Sequence, residues 1–430
     1  MDTAPRHRRR GLIQNIAIAL LSVSAVLLFT QLQLYNLDTP EDPHYLERLM
    51  GTLPSGSPTE LREFPVPVRV VLTDSYGRYG SLGLTTNSDG FSALGLREAL
   101  GSVQALTVSN TDGFRAALSG VSIYFDFLDP LPVPVVAGLI GVESSDLTGT
   151  VRGLLLSAGA GDSVRLYLWD GSDGVVWGTV PDAALSPGAL EEAVSQSGFE
   201  GVSFAFDDVA VDPLYGQLFP LSILPTELPE LPVLSASIPA SDADRLLVSL
   251  GFNVNTRDRY TESDGTQVIT EAETNRSLHI HPDGEIVYRG GTESPLVIAA
   301  QEEAPTASEA ALGAFILLQT LTENITGDGT LYLLSVQQMG ETTQLRYGYH
   351  IGGVPIRFSD GGCAAEVTLA GTAVTELSLR LRQYTASGES SLLLPLRQTL
   401  AIAAEQPGAE LSLGYADTGG DTVSANWLSD

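Results

Sequence analysis

Few residue types in this sequence could carry chemistry, and the histidines are the first candidates. His279 and His281 alternate along one predicted strand, so both side chains would point to the same face of a sheet. With a carboxylate such as Glu271 they could hold a metal ion, because imidazole and carboxylate groups are common metal ligands. A polar strand face explains the same spacing and is the favoured interpretation. His350 is the third histidine of the region predicted to fold.

Acidic loops are a second candidate, because oxygen ligands that lie close together suit a hard cation such as calcium. They form two groups, Asp170 with Ser172 and Asp173, and Asp417 with Asp421. Neither group completes an EF-hand loop. The preference of Asp and Gly for turns explains both groups, and we favour that interpretation.

Nucleophilic and acid–base catalysis find little support. The chain contains no lysine, so its 22 basic residues are all arginine, which excludes Schiff-base and P-loop lysines. Cys363 is the single cysteine, which excludes an intramolecular disulfide and a Cys-x-x-Cys pair. Asp207 and Asp208 follow a predicted strand, but adjacent strand residues point to opposite faces. We therefore predict no catalytic residue, no metal site and no cofactor.

The N-terminus carries the strongest pattern of the chain. An apolar run at 11–34 begins at Gly11, ends at Leu34, and is long enough to span a bilayer core of ~30 Å as a helix. A basic flank precedes it, formed by Arg6, Arg8, Arg9 and Arg10. Basic residues stay on the cytoplasmic side, so we predict a single-pass membrane protein whose bulk is extracytoplasmic. The alternative of a cleaved signal peptide fits less well, because the run is long and its exit is bulky.

The remaining sequence is strongly acidic. The chain has a formal net charge of −30, and the external part is more acidic still, because four of the arginines precede the anchor. Such a surface repels nucleic acid, so we predict no nucleic-acid partner. It suits cationic partners, although solubility alone would also explain it.

Local patterns predict an α+β fold. Two β-type runs surround DGSDG at 170–174 and predict a hairpin. Ser186 can cap a helix at 187–196, Ser241 can cap another, and Thr306 with Glu309 matches a capping box. Later runs alternate between apolar and polar residues, as antiparallel strands do when one face is buried.

We therefore predict a transmembrane helix followed by a multi-domain region of antiparallel sheets packed with helices. The predicted divisions are a cytoplasmic tail at 1–10, the anchor at 11–34, a juxtamembrane linker at 35–62, an α+β domain at 63–235, a helix-plus-sheet domain at 236–300 and a second one at 301–430.

Three segments occur in an order that resembles the order found in a known protein family. They are DGTQVITEAETNRSLHIHPDGEIVYRGG at 264–291, GYHIGGVPIRF with AAEVTLAGTAVTELSLRL at 348–381, and LPLRQTLAIAA with AELSLGYAD at 394–417. They resemble successive segments of the YycH/YycI proteins, which are single-pass proteins of Gram-positive bacteria. The length and the anchor fit the YycH-like member better. The resemblance covers roughly 240–430, while 63–240 matches only in general character.

The resemblance implies a regulatory role. Proteins of this family contact the sensor histidine kinase of the WalK/WalR two-component system of the cell envelope, and they supply no catalytic residues to carry over. This chain departs from the family in lacking lysine and in ending soon after Trp427. We expect a non-enzymatic regulator that binds the membrane, a sensor kinase and a sister YycI-like protein. The alternatives are a cell-wall hydrolase or metal-binding envelope protein, and an envelope scaffold.

Overall fold

The computed structural model describes residues 69–82, 95–142, 147–158, 163–172, 174–196, 200–240, 242–253, 258–291, 295–298 and 305–429. These residues form a mixed α+β architecture in which nearly all strand pairs are antiparallel, as predicted. No helix among them is long and apolar enough to cross a bilayer. The predicted tail at 1–10, anchor at 11–34 and linker at 35–62 lie outside the described residues.

The first half of the described chain builds one sheet and the helices that cover it. Its elements are β1 (Arg69–Thr73), β2 (Tyr79–Leu82), α1 (Leu96–Ser102), β3 (Gln104–Ser109), α2 (Thr111–Leu118), β4 (Ser122–Pro132), α3 (Val133–Leu139), β5 (Thr150–Ala158), β6 (Val164–Trp169), β7 (Val175–Val180), α4 (Pro187–Gln196), β8 (Glu200–Phe204) and β9 (Ile223–Pro225). Within the described ranges this sheet has nine strands in the order β3-β7-β6-β5-β4-β1-β2-β8-β9. The predicted hairpin at 170–174 is confirmed, because β6 pairs with β7.

Both faces of this sheet are buried, which explains the nearly continuous apolar runs of its strands. Val70 and Leu72 belong to the cluster that helices α1, α3 and α4 cover, whereas Val71 belongs to a second cluster. In that second cluster Phe114 of α2 packs edge-on against Tyr124, with ring centroids 6.0 Å apart. The central strands of this sheet therefore have buried side chains on both faces.

The second half of the described chain builds a larger sheet and a small one. Its elements are β10 (Pro232–Ser237), α5 (Ala243–Ser249), β11 (Arg259–Thr261), β12 (Gln267–Glu271), β13 (Arg276–Ile280), β14 (Glu285–Arg289), β15 (Leu296–Val297), α6 (Ala307–Thr322), β16 (Thr330–Met339), β17 (Thr342–Ile351), β18 (Val354–Phe358), β19 (Ala365–Ala370), β20 (Ala373–Arg380), β21 (Gln383–Ser390), α7 (Leu396–Ala403), β22 (Leu411–Asp417), β23 (Thr422–Val423) and β24 (Ala425–Ser429). In the part of the chain described, the large sheet has twelve strands. Its main order is β11-β12-β13-β14-β20-β19-β17-β18-β22-β24, with β15 beside β20 and β16 beside β17.

The sheet pairing crosses both predicted domain boundaries of this half. Strand β14 pairs with β20, so that Ile286 lies opposite Leu379, and the boundary predicted at 300 falls inside one continuous sheet. The boundary predicted at 235 falls inside β10, which joins β21 and β23 in the three-stranded sheet. The two helix-plus-sheet units share one sheet because this pairing satisfies backbone groups that would otherwise form exposed edges.

The helix caps follow local sequence closely. Thr306 accepts a hydrogen bond from Glu309 N at 3.2 Å, and Glu309 accepts one from Thr306 N at 2.8 Å, which confirms the capping box of α6. Helix α5 is capped by Asp242, one residue after the predicted Ser241, because the Asp242 carboxylate accepts from two backbone N–H groups. Gly251 follows α5 with a φ of 70°, in the left-handed region where glycine meets no Cβ penalty.

Helix α3 of the first half packs against helix α6 of the second, so one core spans both sheets. Gly138 allows the close approach, because a Cβ built there would lie 2.4 Å from Ser308 Oγ. On the large sheet, the Tyr347 hydroxyl donates to Ala311 O of α6 at 2.7 Å. The Tyr347 ring also stacks on Phe315, with centroids 6.3 Å apart.

A buried group of four charges forms a second bridge between the halves. Arg69 Nε donates to Asp126 Oδ2 at 2.7 Å, and Arg69 Nη2 lies 3.3 Å from Glu410 Oε1. Arg152 also pairs with Glu410, which directly precedes β22 of the large sheet. Burial lowers the pKa of Arg69, but the charges of Asp126 and Glu410 outweigh burial, so the pKa is raised. Both arginines therefore stay charged and need both carboxylates.

The Gly138 contact gives a direct test of the junction between the helices. We expect Gly138→Ala to lower the free energy of unfolding by about 1–3 kcal/mol, because the added methyl overlaps both Oγ and Cβ of Ser308. Gly188 is the control, since its position in α4 has nothing within 4 Å of a built Cβ. Gly188→Ala should stabilise the protein by roughly 0.5–1 kcal/mol through helix propensity. Denaturant unfolding of both variants measures the difference, and equal effects would contradict the packing argument.

The four-charge cluster should be sensitive to the loss of one carboxylate. We expect Glu410→Gln to cost about 3–5 kcal/mol, because two largely buried arginines would keep only one anionic partner. Glu376→Gln is the matched control. Glu376 pairs with Arg289 at 3.6 Å on the surface, where such pairs contribute about 0–1 kcal/mol. Chemical denaturation compares the two variants, and a Glu410→Gln cost as small as that of the control would show that the cluster does not hold the halves together.

Candidate functional site

His279 lies on β13 and His281 is the first residue after that strand, and their rings lie side by side, as the spacing predicts. The rings of His279 and His281 have centroids 6.4 Å apart, and His281 Nδ1 lies 3.1 Å from Thr266 Oγ1. The third proposed ligand is engaged elsewhere, because Glu271 accepts a 2.6 Å hydrogen bond from Arg276 Nη2. Burial raises the pKa of Glu271, but the hydrogen bonds it accepts outweigh burial and lower the pKa. Within the described residues, no three His, Cys, Asp or Glu side chains converge as metal ligands would.

His350 lies in a very different environment from the other two histidines. It is only 6% exposed, near the end of β17, and lies opposite Thr330 of β16 and Pro355 of β18. Neither ring nitrogen has a hydrogen-bond partner among the described residues, and the Tyr332 ring centroid is 5.8 Å away. Burial lowers the pKa of His350 to about 4, so the side chain is neutral at pH 7.

Several of the acidic residues considered as candidate sites take part in turns. Asp170 Oδ1 accepts from both the N–H and the hydroxyl of Ser172, each at 2.8 Å, as an Asx turn does. Asp173 lies outside the described residues. Asp207 and Asp208 lie beyond β8 at the start of the 3₁₀ helix Asp208–Ala210, on a turn rather than on a strand.

A charged pocket of about 420 Å³ lies at one end of the large sheet. Strands β18, β20 and β22 end there, and β14 begins there. A tight turn, in which Gly284 has a φ of 88°, directly precedes β14. The pocket is lined by Ile238, Asp283, Glu285, Phe358, Ser359, Asp360, Arg380, Arg382, Asp417, Thr418 and Gly419. Its size is within the range of ordinary ligand sites, about 300–1,000 Å³.

A buried ion pair forms the floor of the pocket. Arg382 Nε donates to Asp417 Oδ2 and Arg382 Nη2 to Asp417 Oδ1, both at 3.0 Å. The Tyr384 hydroxyl donates to Asp417 Oδ2 at 2.8 Å, and Gly419 N donates to Asp417 Oδ1 at 2.7 Å. Burial lowers the pKa of Arg382, but Asp417 outweighs burial, so the pKa is raised. Asp417 is therefore the anionic partner of Arg382, which is a different role from that of the calcium ligand considered with Asp421.

A second, more exposed pair lies on the rim. Arg380 Nη2 contacts Asp360 Oδ2 at 2.7 Å, and the guanidinium carbon lies 5.0 Å from the Phe358 ring centroid, within cation–π distance. The hydrogen bond from Arg380, followed by that from Gly362 N, lowers the pKa of Asp360. The same hydrogen bond raises the pKa of Arg380. The pair therefore stays ionised over the ordinary pH range.

Two further carboxylates make the lining acidic. Glu285 Oε1 accepts a 3.1 Å hydrogen bond from the Ser378 hydroxyl, and Asp283 lies in the exposed turn before it. The pocket thus has four carboxylates and two guanidinium groups, so negative charge exceeds positive. The apolar parts of its wall are Ile238 and the Phe358 ring. Such a lining can bind a cation that also carries an apolar stem.

Sequence reasoning did not single out this pocket. The alternation of β20 places Arg380 on the face opposite to that of Leu379, but its pairing with Asp360 depends on how β20 and the loop after β18 meet. The bond between Arg382 and Asp417 spans 35 positions of sequence. Asp417, considered above together with Asp421, was one local signal, and the Pro282-Asp283-Gly284 turn is another.

Comparison of this chain with protein family models, with curated proteins and with solved structures finds no match.

The buried histidine gives a pH prediction. The pKa of His350 is near 4 in the folded state and ~6.5 when unfolded, so the unfolded state binds more protons between these values. His350 therefore favours the folded state fully above pH ~6.5, and this stability is lost as the pH falls toward about 4. The loss should total about 3 kcal/mol.

His350→Phe should remove this contribution. The measurement is the free energy of unfolding of both proteins at neutral and at acidic pH. Wild type should lose more stability on acidification than the variant, by about 2–3 kcal/mol. Equal losses would show that His350 becomes protonated in the folded state without cost.

Proposed function

We propose that this chain is a non-enzymatic, membrane-anchored regulator whose external part binds a sensor histidine kinase of a cell-envelope two-component system. The apolar run at 11–34 would act as the anchor, with the basic flank before it in the cytoplasm. The resemblance of 264–291, 348–381 and 394–417 to YycH/YycI segments supports this role.

The observation that carries the proposal is the edge strand β3. It lies at the end of the nine-stranded sheet and, among the described residues, pairs on one side only, with β7. The side chains of Leu106 and Val108 are 47% and 81% exposed, and the strand carries no charged residue. Soluble proteins usually protect such edges with charges or proline, so an open apolar edge is typical of strand addition by a partner.

The pocket on the large sheet is consistent with recognition rather than bond cleavage. Asp417 is bonded to Arg382, Asp360 to Arg380, and Glu285 accepts a hydrogen bond from Ser378. A catalytic carboxylate of the hydrolase alternative would need its pKa tuned toward the working pH, whereas the pKa of Asp360 is lowered by its neighbours. These ion pairs and hydrogen bonds of the pocket carboxylates support a binding role for the external region.

Val108→Asp tests the edge strand. We expect the full-length variant to retain at least tenfold less partner than wild type on purification from membranes, because strand addition would bury the new charge. Val211→Asp is the matched control, since Val211 is also an exposed valine, at 80%, but lies after the 3₁₀ helix Asp208–Ala210. That variant should retain the partner.

Two outcomes would contradict the proposal. If the wild-type chain were purified with lipid and detergent alone, there would be no evidence for a protein partner. If Val108→Asp and Val211→Asp retained equal amounts of partner, β3 would not be the contact surface. Replacing the segment at 11–34 with an unrelated apolar helix then separates a simple tether from a helix that binds the partner, because only a partner helix would lose retention.

A further inference from the structure

The charged pocket offers a binding site that is distinct from the β3 edge. Its residues belong to the large sheet and its neighbouring loops, whereas β3 belongs to the nine-stranded sheet. We propose that this pocket binds the side chain of a lysine or a similar primary amine, with the aliphatic stem against the wall and the ammonium group among the carboxylates.

The charge of the pocket selects the sign of the ligand. Arg382 is only 8% exposed at its side chain and is neutralised by Asp417, so the floor offers no free positive charge. Arg380 is neutralised by Asp360 on the rim. Glu285 lies opposite Arg380 in the β14–β20 ladder and accepts a hydrogen bond from the Ser378 hydroxyl, so Arg380 is shared by two carboxylates. Asp283 adds a further carboxylate, which accepts a hydrogen bond from Glu285 N. Four carboxylates and two guanidinium groups line the pocket, so its net charge is negative. An anionic ligand would therefore meet net repulsion here, whereas a cation would be attracted.

The apolar wall selects the shape of the ligand. Ile238 is 44% exposed at the mouth, and the Phe358 ring lies beside Arg380. A compact metal ion would gain nothing from these groups. A side chain with several methylene groups can bury its stem on them while its charged head stays near Glu285, which is how lysine side chains ordinarily pack. The volume of about 420 Å³ accommodates such a side chain together with some of its backbone.

The composition of the chain adds a reason for this choice. The chain contains no lysine, so its own side chains cannot supply this cation. With a formal net charge of −30, the chain also attracts basic molecules at a distance. The amine would therefore come from another molecule, which is either a basic polypeptide segment or a free small amine.

Calorimetric titration of the full-length protein in detergent tests the proposal. The probes are Nα-acetyl-lysine N-methylamide, a peptide with one central lysine, and the same two compounds with norleucine in place of lysine. We expect the lysine probes to bind, the norleucine probes to bind at least about tenfold more weakly, and added salt to weaken lysine binding. Equal binding of lysine and norleucine probes would overturn the proposal.

Two substitutions locate the site. Glu285→Gln keeps the shape of the side chain, removes one charge from the pocket, and should weaken lysine binding about tenfold. Glu376→Gln is the matched control, because Glu376 lies on the same β14–β20 ladder, four positions away from the pocket end, and pairs with Arg289. It should leave binding unchanged. Asp360→Asn, which removes a rim carboxylate and releases Arg380, is the second pocket variant if Glu285→Gln does not fold.

Equal affinities of Glu285→Gln, Asp360→Asn and Glu376→Gln would overturn the proposal. The two lysine probes distinguish the source of the amine, and both outcomes support the site. Similar affinity for the small probe and the peptide indicates a free amine, whereas much tighter peptide binding indicates a polypeptide segment. This result is independent of the β3 test, because a chain that loses its partner through Val108→Asp should still bind the lysine probe.

Discussion

The contact between helix α3 and helix α6 determines the architecture, because it joins two large sheets around one hydrophobic core. Each sheet alone would leave an apolar face exposed on that side. The contact depends on Gly138, which has no Cβ and lets the two helices approach at Ser308. The four-charge cluster around Glu410 fixes the same two halves at another point. The β3 edge and the charged pocket, the two proposed binding surfaces, are therefore held in a fixed relation to each other.

Local features of this fold followed well from sequence, because they depend on residues close together in the chain. The capping box of Thr306 and Glu309, the cap at Ser186, and the hairpin around DGSDG are all present. The alternation at Leu377 and Leu379 also matches their burial. Such patterns report which face of an element is apolar, and they do so without knowledge of the partner element.

Long-range pairing did not follow from sequence, for a physical reason. Strands β14 and β20 are equally able to form edges of two small sheets or neighbours in one, and their alternation is the same in either case. The pocket has the same origin. Asp417 resembles a turn residue in sequence, and only the approach of Arg382 and Tyr384 makes it an internal anion. The predicted anchor at 11–34 and the family resemblance remain predictions from sequence.

The exclusive use of arginine has a consequence for the alkaline limit of this protein. Every ion pair described above has a guanidinium group as its cation, and such groups keep their proton at any pH that proteins ordinarily meet. Burial also raises the pKa of the tyrosines in the core, including Tyr347 and Tyr349. Titration can therefore weaken these ion pairs only from the acidic side, through their carboxylates. A protein built in this way keeps its charge pairing intact in alkaline surroundings, where a lysine-based network would begin to lose its cations.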